Sequence, residues 1–168
     1  MKTKRLTKMS LLTATALLLG YLEYLLPVFP ALPGVRLGLG NIAVLYALYA
    51  MGRKDAFLLM LLKVLLCGLL FAGAFSTLYA LAGGFCSVFA MCAAKRLPGV
   101  STVGVSVAGA VFHNAGQAVV ACLLLGRGAV LSYLPALLLA AILTGLLTGL
   151  AAKGVLKALG EHGEGNGV

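Results

Sequence analysis

Two sets of side chains in this sequence have types and spacing that chemistry can use, and both lie inside apolar runs. The first is a single ammonium, Lys63, eight residues past Asp55. At about 1.5 Å per helical residue it sits deep in its run. A centred Lys costs about 2.5–3.5 kcal/mol on membrane-insertion scales, so its presence needs a reason. Either its stem carries the charge back to the nearer interface, or the cation faces a polar cavity. The second set is Ser106, Ala110, His113 and Gln117, spaced four, three and four apart. That spacing puts them on one helical face, with Asn114 on its flank. Gly109 and Gly116 allow another helix or a ligand to approach closely. Such groups can tie helices together, at roughly 0.6 kcal/mol per contact. Three of them opposite an intramembrane Lys point instead to a polar binding cavity.

Glu23 and Asn41 bracket the segment Pro27–Arg36, which Pro27, Pro30 and Pro33 stiffen. Glu23 reads as a cavity residue or as a carboxylate at the outer interface, and Arg36 as a cavity cation or an interfacial anchor. Ala16-Leu-Leu-Leu-Gly20 and Gly145-Leu-Leu-Thr-Gly149 are small-xxx-small patterns suited to helix contacts. Ala16, Gly20 and Glu23 share a face, which gives Glu23 a helix partner as a further alternative. The sequence has no GxxxxGK[ST] phosphate loop. Asp55 is its single aspartate, so an aspartate-rich magnesium site for diphosphate chemistry cannot be built. Of its two histidines, His162 lies in a Gly-rich polar tail, which leaves no His cluster for a metal. No catalytic residue, metal or cofactor is expected.

The elements that hold these groups follow from composition. Of 168 residues, 62% are hydrophobic and 10% charged, with a mean hydropathy of +1.09. A soluble domain is typically about 45–50% apolar and about 25% charged. A chain of this size cannot hide so much apolar surface from water, and the reading is an integral membrane protein. Helices are the expected spanning elements, because every backbone polar group must be satisfied within lipid. Six apolar runs are visible, near Met9–Leu26, Leu37–Met51, Ala56–Ala74, Leu78–Ala94, Val100–Leu125 and Tyr133–Ala152. The expected fold is therefore all-α, with a basic leader over residues 1–8, six transmembrane helices over 9–152 and a polar tail over 153–168. Ala14-Thr-Ala16 has the form of a signal-cleavage site but lies inside the first run, so that run is expected to be retained. The four cysteines have no CxxC spacing and read as packing residues.

Thirteen basic residues stand against four acidic ones, a formal charge of +9. With the N-terminus inside, Lys2, Lys4, Arg5, Lys8, Arg53, Lys54, Lys95, Arg96, Lys153 and Lys157 all fall on one side. Only Arg36 and Arg127 fall on the other. That asymmetry places both termini in the cytoplasm and explains the charge without a nucleic-acid partner. The second run is short, and were it re-entrant the later loops would change sides.

Pro33-Gly-Val-Arg36-Leu-Gly-Leu-Gly-Asn41, preceded by Tyr21-Leu-Glu23-Tyr-Leu-Leu-Pro27, resembles the bacterial Gx transporter family. Its members are often labelled heptaprenyl diphosphate synthase component I, and the family is similar to the S components of energy-coupling factor (ECF) vitamin transporters. Arg36 stands where Lys is frequent, and Gly40 where Ala is frequent. The resemblance implies an ECF S-component-like six-helix bundle in the bacterial cytoplasmic membrane, with a substrate pocket open to the outside. It implies a lid between the first two helices and a pocket drawing on Arg36, Asn41, Lys63, His113, Asn114 and Gln117, with Glu23 nearby. Ala16 and Gly20 match in type and position a motif that docks on a transmembrane coupling protein driven by two ATPase subunits. The cationic residues favour a small anionic substrate, such as a cofactor or a quinone or isoprenoid precursor. The family label carries the competing implication, a membrane accessory subunit of prenyl diphosphate chain elongation.

Overall fold

The computed structural model describes residues 2–25, 38–125 and 127–160. Arg36, the proline-rich segment before it and the tail with His162 lie outside these residues. Among the described residues the chain is helical throughout, with no strand. The helices are α1 (Lys2–Leu25), α2 (Leu39–Ala50), α3 (Arg53–Cys67), α4 (Gly73–Ala94), α5 (Thr102–Leu125) and α6 (Arg127–Ala158), with a π-helical turn over Gly68–Ala72. Three helical stretches, Arg53–Ala94, Thr102–Leu124 and Val130–Ala158, are long and apolar enough to cross a membrane. Leu39–Ala50 is a shorter apolar helix.

The stretch Arg53–Ala94 is two helices folded back on each other. Phe57 of α3 meets Phe85 of α4 with ring centroids 5.2 Å apart, and Gly84 lies against the Met60 side chain. The reversal was expected at Ser76–Thr77 and falls instead at Gly73. Gly73 has φ 79°, a left-handed conformation that an L side chain adopts only with strain. Thr77 does not break the helix because its Oγ1 donates to the Gly73 carbonyl at 2.7 Å, inside the first turn of α4. At both ends the helices also outrun the apolar runs. The basic leader is the first two turns of α1, and α6 starts six residues before Tyr133 and continues through Pro135 to Ala158.

Successive helices alternate in direction. Ser106 and Gly149, and Asn114 and Leu137, pair across α5 and α6. Gly83 and His113, and Gly109 and Met91, pair across α4 and α5. The alternation gathers Arg5, Arg53, Lys54, Lys95, Arg96, Lys153 and Lys157 at one end of the bundle. There Arg5 Nε donates to Asp55 Oδ1 and Oδ2 at 3.0 and 3.1 Å, and its Nη2 also donates to Oδ1. The Asp55 carboxylate holds the Arg5 guanidinium above its ordinary pKa, chiefly through this hydrogen bonding. Lys95 Nζ donates to the Leu48 carbonyl at 2.9 Å and stands 4.2 Å from the Tyr49 ring, placing a cation at the negative end of α2.

Glycines set the spacing of α4, α5 and α6. A Cβ on Gly145 would lie 2.8 Å from the Val107 Cα, and one on Gly149 2.9 Å from the Val103 Cα. A Cβ on Gly116 would lie 2.8 Å from the Ala82 carbonyl oxygen. Backbones approach this closely in lipid because dispersion and close packing, with no water to expel, hold the helices together. The main core sits where α2 and α3 meet the rest of the bundle, around Leu45, Leu48, Leu59 and Val105, all no more than 2% exposed. Large apolar side chains such as Leu11, Leu69, Phe89, Leu123 and Leu143 face outward on every long helix. A surface of that kind fits a lipid environment.

Candidate functional site

The polar side chains turn inward and meet in one narrow cavity of ≈ 80 Å³ that runs along the bundle. Every helix contributes to its wall: Gly20 and Glu23 from α1, Asn41 from α2, Lys63 and Cys67 from α3, Ser87 from α4, His113 and Gln117 from α5, and Thr144 and Thr148 from α6.

Lys63 is half-buried, and its Nζ donates to Asn41 Oδ1 at 2.6 Å. The ammonium therefore faces the interior between α2 and α3 and does not run back along its own helix. Gly40 makes this approach possible. A Cβ there would lie 3.1 Å from Lys63 Cε, 3.2 Å from Nζ and 3.1 Å from the Ala16 carbonyl oxygen. The missing side chain of Gly40 thus leaves room around the cation.

Glu23 reaches the same cavity from the opposite end to the basic cluster. Its Oε1 accepts the Gly38 N–H at 2.5 Å. Gly38 is the N-cap of α2, in a left-handed conformation with φ 73°. The carboxylate therefore lies at the positive end of α2 and pins the start of that helix to α1.

On α5 the expected stripe of Ser106, Ala110, His113 and Gln117 does line the cavity. His113 and Gln117 pack on Gly83 of α4, whose missing Cβ would lie 3.0 Å from His113 Cε1 and 2.9 Å from Gln117 Cγ. Ser106 Oγ and Thr148 Oγ1 share a hydrogen bond of 3.0 Å. Asn114 borders the cavity but is 8% exposed, and its Nδ2 donates to the Leu137 carbonyl at 3.0 Å. That bond ties α5 to α6.

Ala16 and Gly20 are used within the chain. Ala16 is fully buried, its carbonyl against Gly40. A Cβ on Gly20 would lie 3.2 Å from Cys67 Sγ. Within this chain the small-residue face of α1 packs on α2 and α3. Lining residues that the sequence reading passed over are Ser87, Cys67, Thr144 and Thr148. The two threonines were visible as a four-residue repeat beside Gly145 and Gly149.

Chemically the site is a donor-rich pocket in an apolar bundle. An ammonium, an imidazole, an amide and several hydroxyls can hold a small polar molecule by charge and hydrogen bonds. Among the described residues no group of three or more His, Cys, Asp or Glu side chains could hold a metal ion. Asp55, paired with Arg5, is not among the residues of the cavity wall.

A helical bundle with an apolar exterior and a polar interior cavity is the make-up of a multi-pass membrane component. The chain belongs to the heptaprenyl diphosphate synthase component I family, whose model matches residues 12–155. No curated protein and no solved structure was found to match it.

Proposed function

We propose that this chain is a membrane substrate-binding subunit of the ECF S-component type, taking up a small anionic molecule. The observation that carries the reading is the cavity, lined from all six helices, with the Lys63 ammonium inside it. A lysine is rare near the middle of a membrane segment, and here Asn41 holds its head toward the cavity, where it is well suited to meet an anion. Lys63, Asn41, His113 and Gln117 would contact that ligand, with Arg36 joining from the α1–α2 connection. In this reading all six helices cross the bacterial cytoplasmic membrane and both termini are cytoplasmic, which puts the basic end on the side that collects Lys and Arg. The cavity as it stands is narrow, at ≈ 80 Å³. In this reading a transmembrane coupling protein with ATPase subunits would supply the drive for transport.

The family description favours a second reading, a membrane accessory subunit of prenyl diphosphate chain elongation. Both readings assign no catalytic step to this chain. One experiment separates them. The tagged protein is purified from its native membrane in mild detergent, and co-purifying proteins are identified by mass spectrometry. A transmembrane coupling protein with ATPase subunits supports the transport reading. A soluble prenyl synthase in their place overturns it.

A further inference from the structure

A second concavity lies at the basic end, between the start of α3 and the end of α4, and it shares no residue with the cavity above. It is an open groove of ≈ 690 Å³. Arg53, Lys54 and Arg96 form its rim, and Phe57, Val88 and Phe89 are among its apolar lining residues. Phe89 is 69% exposed, so the floor continues onto the outward apolar surface of α4.

The charge on this rim is not balanced within the described chain. Of the described acids, Asp55 is 5% exposed and taken by Arg5, while Glu23 sits at the start of α2, at the other end of the bundle. Three cations gathered at one rim repel one another unless an anion lies among them. A free inorganic anion would answer the rim but leave the apolar floor wet. An uncharged hydrocarbon would cover the floor but leave the rim unanswered. A molecule with a phosphate at one end and an apolar chain at the other satisfies both, and a bilayer presents such molecules at this height.

We propose that this groove is a binding site for an anionic phospholipid, its phosphate held by Arg53, Lys54 and Arg96 and one acyl chain lying along Phe57, Val88 and Phe89. The inference requires only that the apolar helices lie in a bilayer, and it is independent of what the internal cavity carries.

The test uses the full chain, purified in mild detergent and offered phosphatidylglycerol or phosphatidylcholine, with retained lipid counted by native mass spectrometry. Phosphatidylglycerol is expected to be retained in preference to phosphatidylcholine. In the R53Q/K54Q/R96Q variant its retention falls about tenfold or more. In K153Q/K157Q, which removes two basic residues of α6 away from the groove, retention is unchanged. An equal fall in both variants assigns the effect to general attraction and overturns the proposal, as does no fall in the first. Displacement of the lipid by millimolar inorganic phosphate overturns it too, because the site would then take the free anion. Should the triple variant fail to give a monodisperse protein, R96Q alone carries the test, with a smaller fall expected and no fall refuting the assignment.

Discussion

Replacing Lys63 by Met separates recognition from stability. Lys63 Nζ donates to Asn41 at 2.6 Å, and a hydrogen bond involving a charged group contributes about 1.5–3 kcal/mol. Against this stands the cost of a centred ammonium in a membrane segment, about 2.5–3.5 kcal/mol. The two nearly cancel, and Asn41 can take water in the cavity as its new partner. K63M is therefore expected to change stability by less than about 1 kcal/mol, which is about 2–4 °C in Tm for a chain of this size. Binding behaves differently. Removing one partner of a desolvated charge pair costs about 2–5 kcal/mol, and even the lower figure is about 30-fold in Kd. A ligand at a hundred times its Kd stabilises by about 2.7 kcal/mol, and at the same concentration a 30-fold weaker one by about 0.9 kcal/mol. The assay is thermal unfolding in detergent, followed by circular dichroism, with a panel of small carboxylates and phosphate esters. Compounds that raise the wild-type Tm should give about a third of that rise in K63M. Undiminished rises in K63M would refute recognition of the ligand by this cation. A fall of more than about 10 °C in the ligand-free Tm would make Lys63 a structural residue instead.

Four further outcomes are expected. In G20C the new thiol faces Cys67, whose Sγ lies 3.2 Å from the position of a Cβ at residue 20. A mild oxidant should join α1 to α3 beside the cavity, and ligand binding should then stop and return on reduction, with free thiols counted by mass. G116V forces a side chain against the Ala82 carbonyl and should cost about 1–3 kcal/mol in denaturant or thermal unfolding. G154A, a helical site with open space around it, should by contrast stabilise by about 0.5–1 kcal/mol. Finally, R5Q should lower Tm more than D55N. The first leaves the Asp55 carboxylate buried and without its guanidinium, whereas the second leaves only an arginine that water can solvate. Equal Tm values for the two variants would contradict this assignment.

The membrane class was legible from composition, and the cavity-facing stripe of α5 from spacing alone, because a period of 3.6 fixes a face without knowledge of its neighbour. Lys63 stood out because charge is rare in such runs. The pairing of Lys63 with Asn41 was not legible, since it depends on how α2 packs against α3. Asn114 shows the same limit: its place beside the stripe was readable, but its bond to the Leu137 carbonyl needed the position of α6. The chain reversal was misplaced because Ser76 and Thr77 looked like a polar break. Gly73, whose missing side chain permits the left-handed turn, looked like one more small apolar residue. The role of Ala16 was hidden for a related reason. A small-residue face records that something approaches closely without recording whether the visitor belongs to the same chain.

The glycine contacts of α4, α5 and α6 also bear on how this site can change through mutation. Gly83, Gly109, Gly116, Gly145 and Gly149 each meet a neighbour within 3 Å of where a Cβ would be. At Gly83, Gly116, Gly145 and Gly149 that neighbour includes backbone, so substituting any of these four moves a helix, and with it His113 and Gln117. That side of the cavity is effectively inherited as a block. The opposite wall presents individual side chains, Asn41, Lys63 and Cys67, whose replacement need not displace a backbone. New ligand preferences should therefore arise on α2 and α3, while the α4–α6 side remains a fixed template against which they are selected.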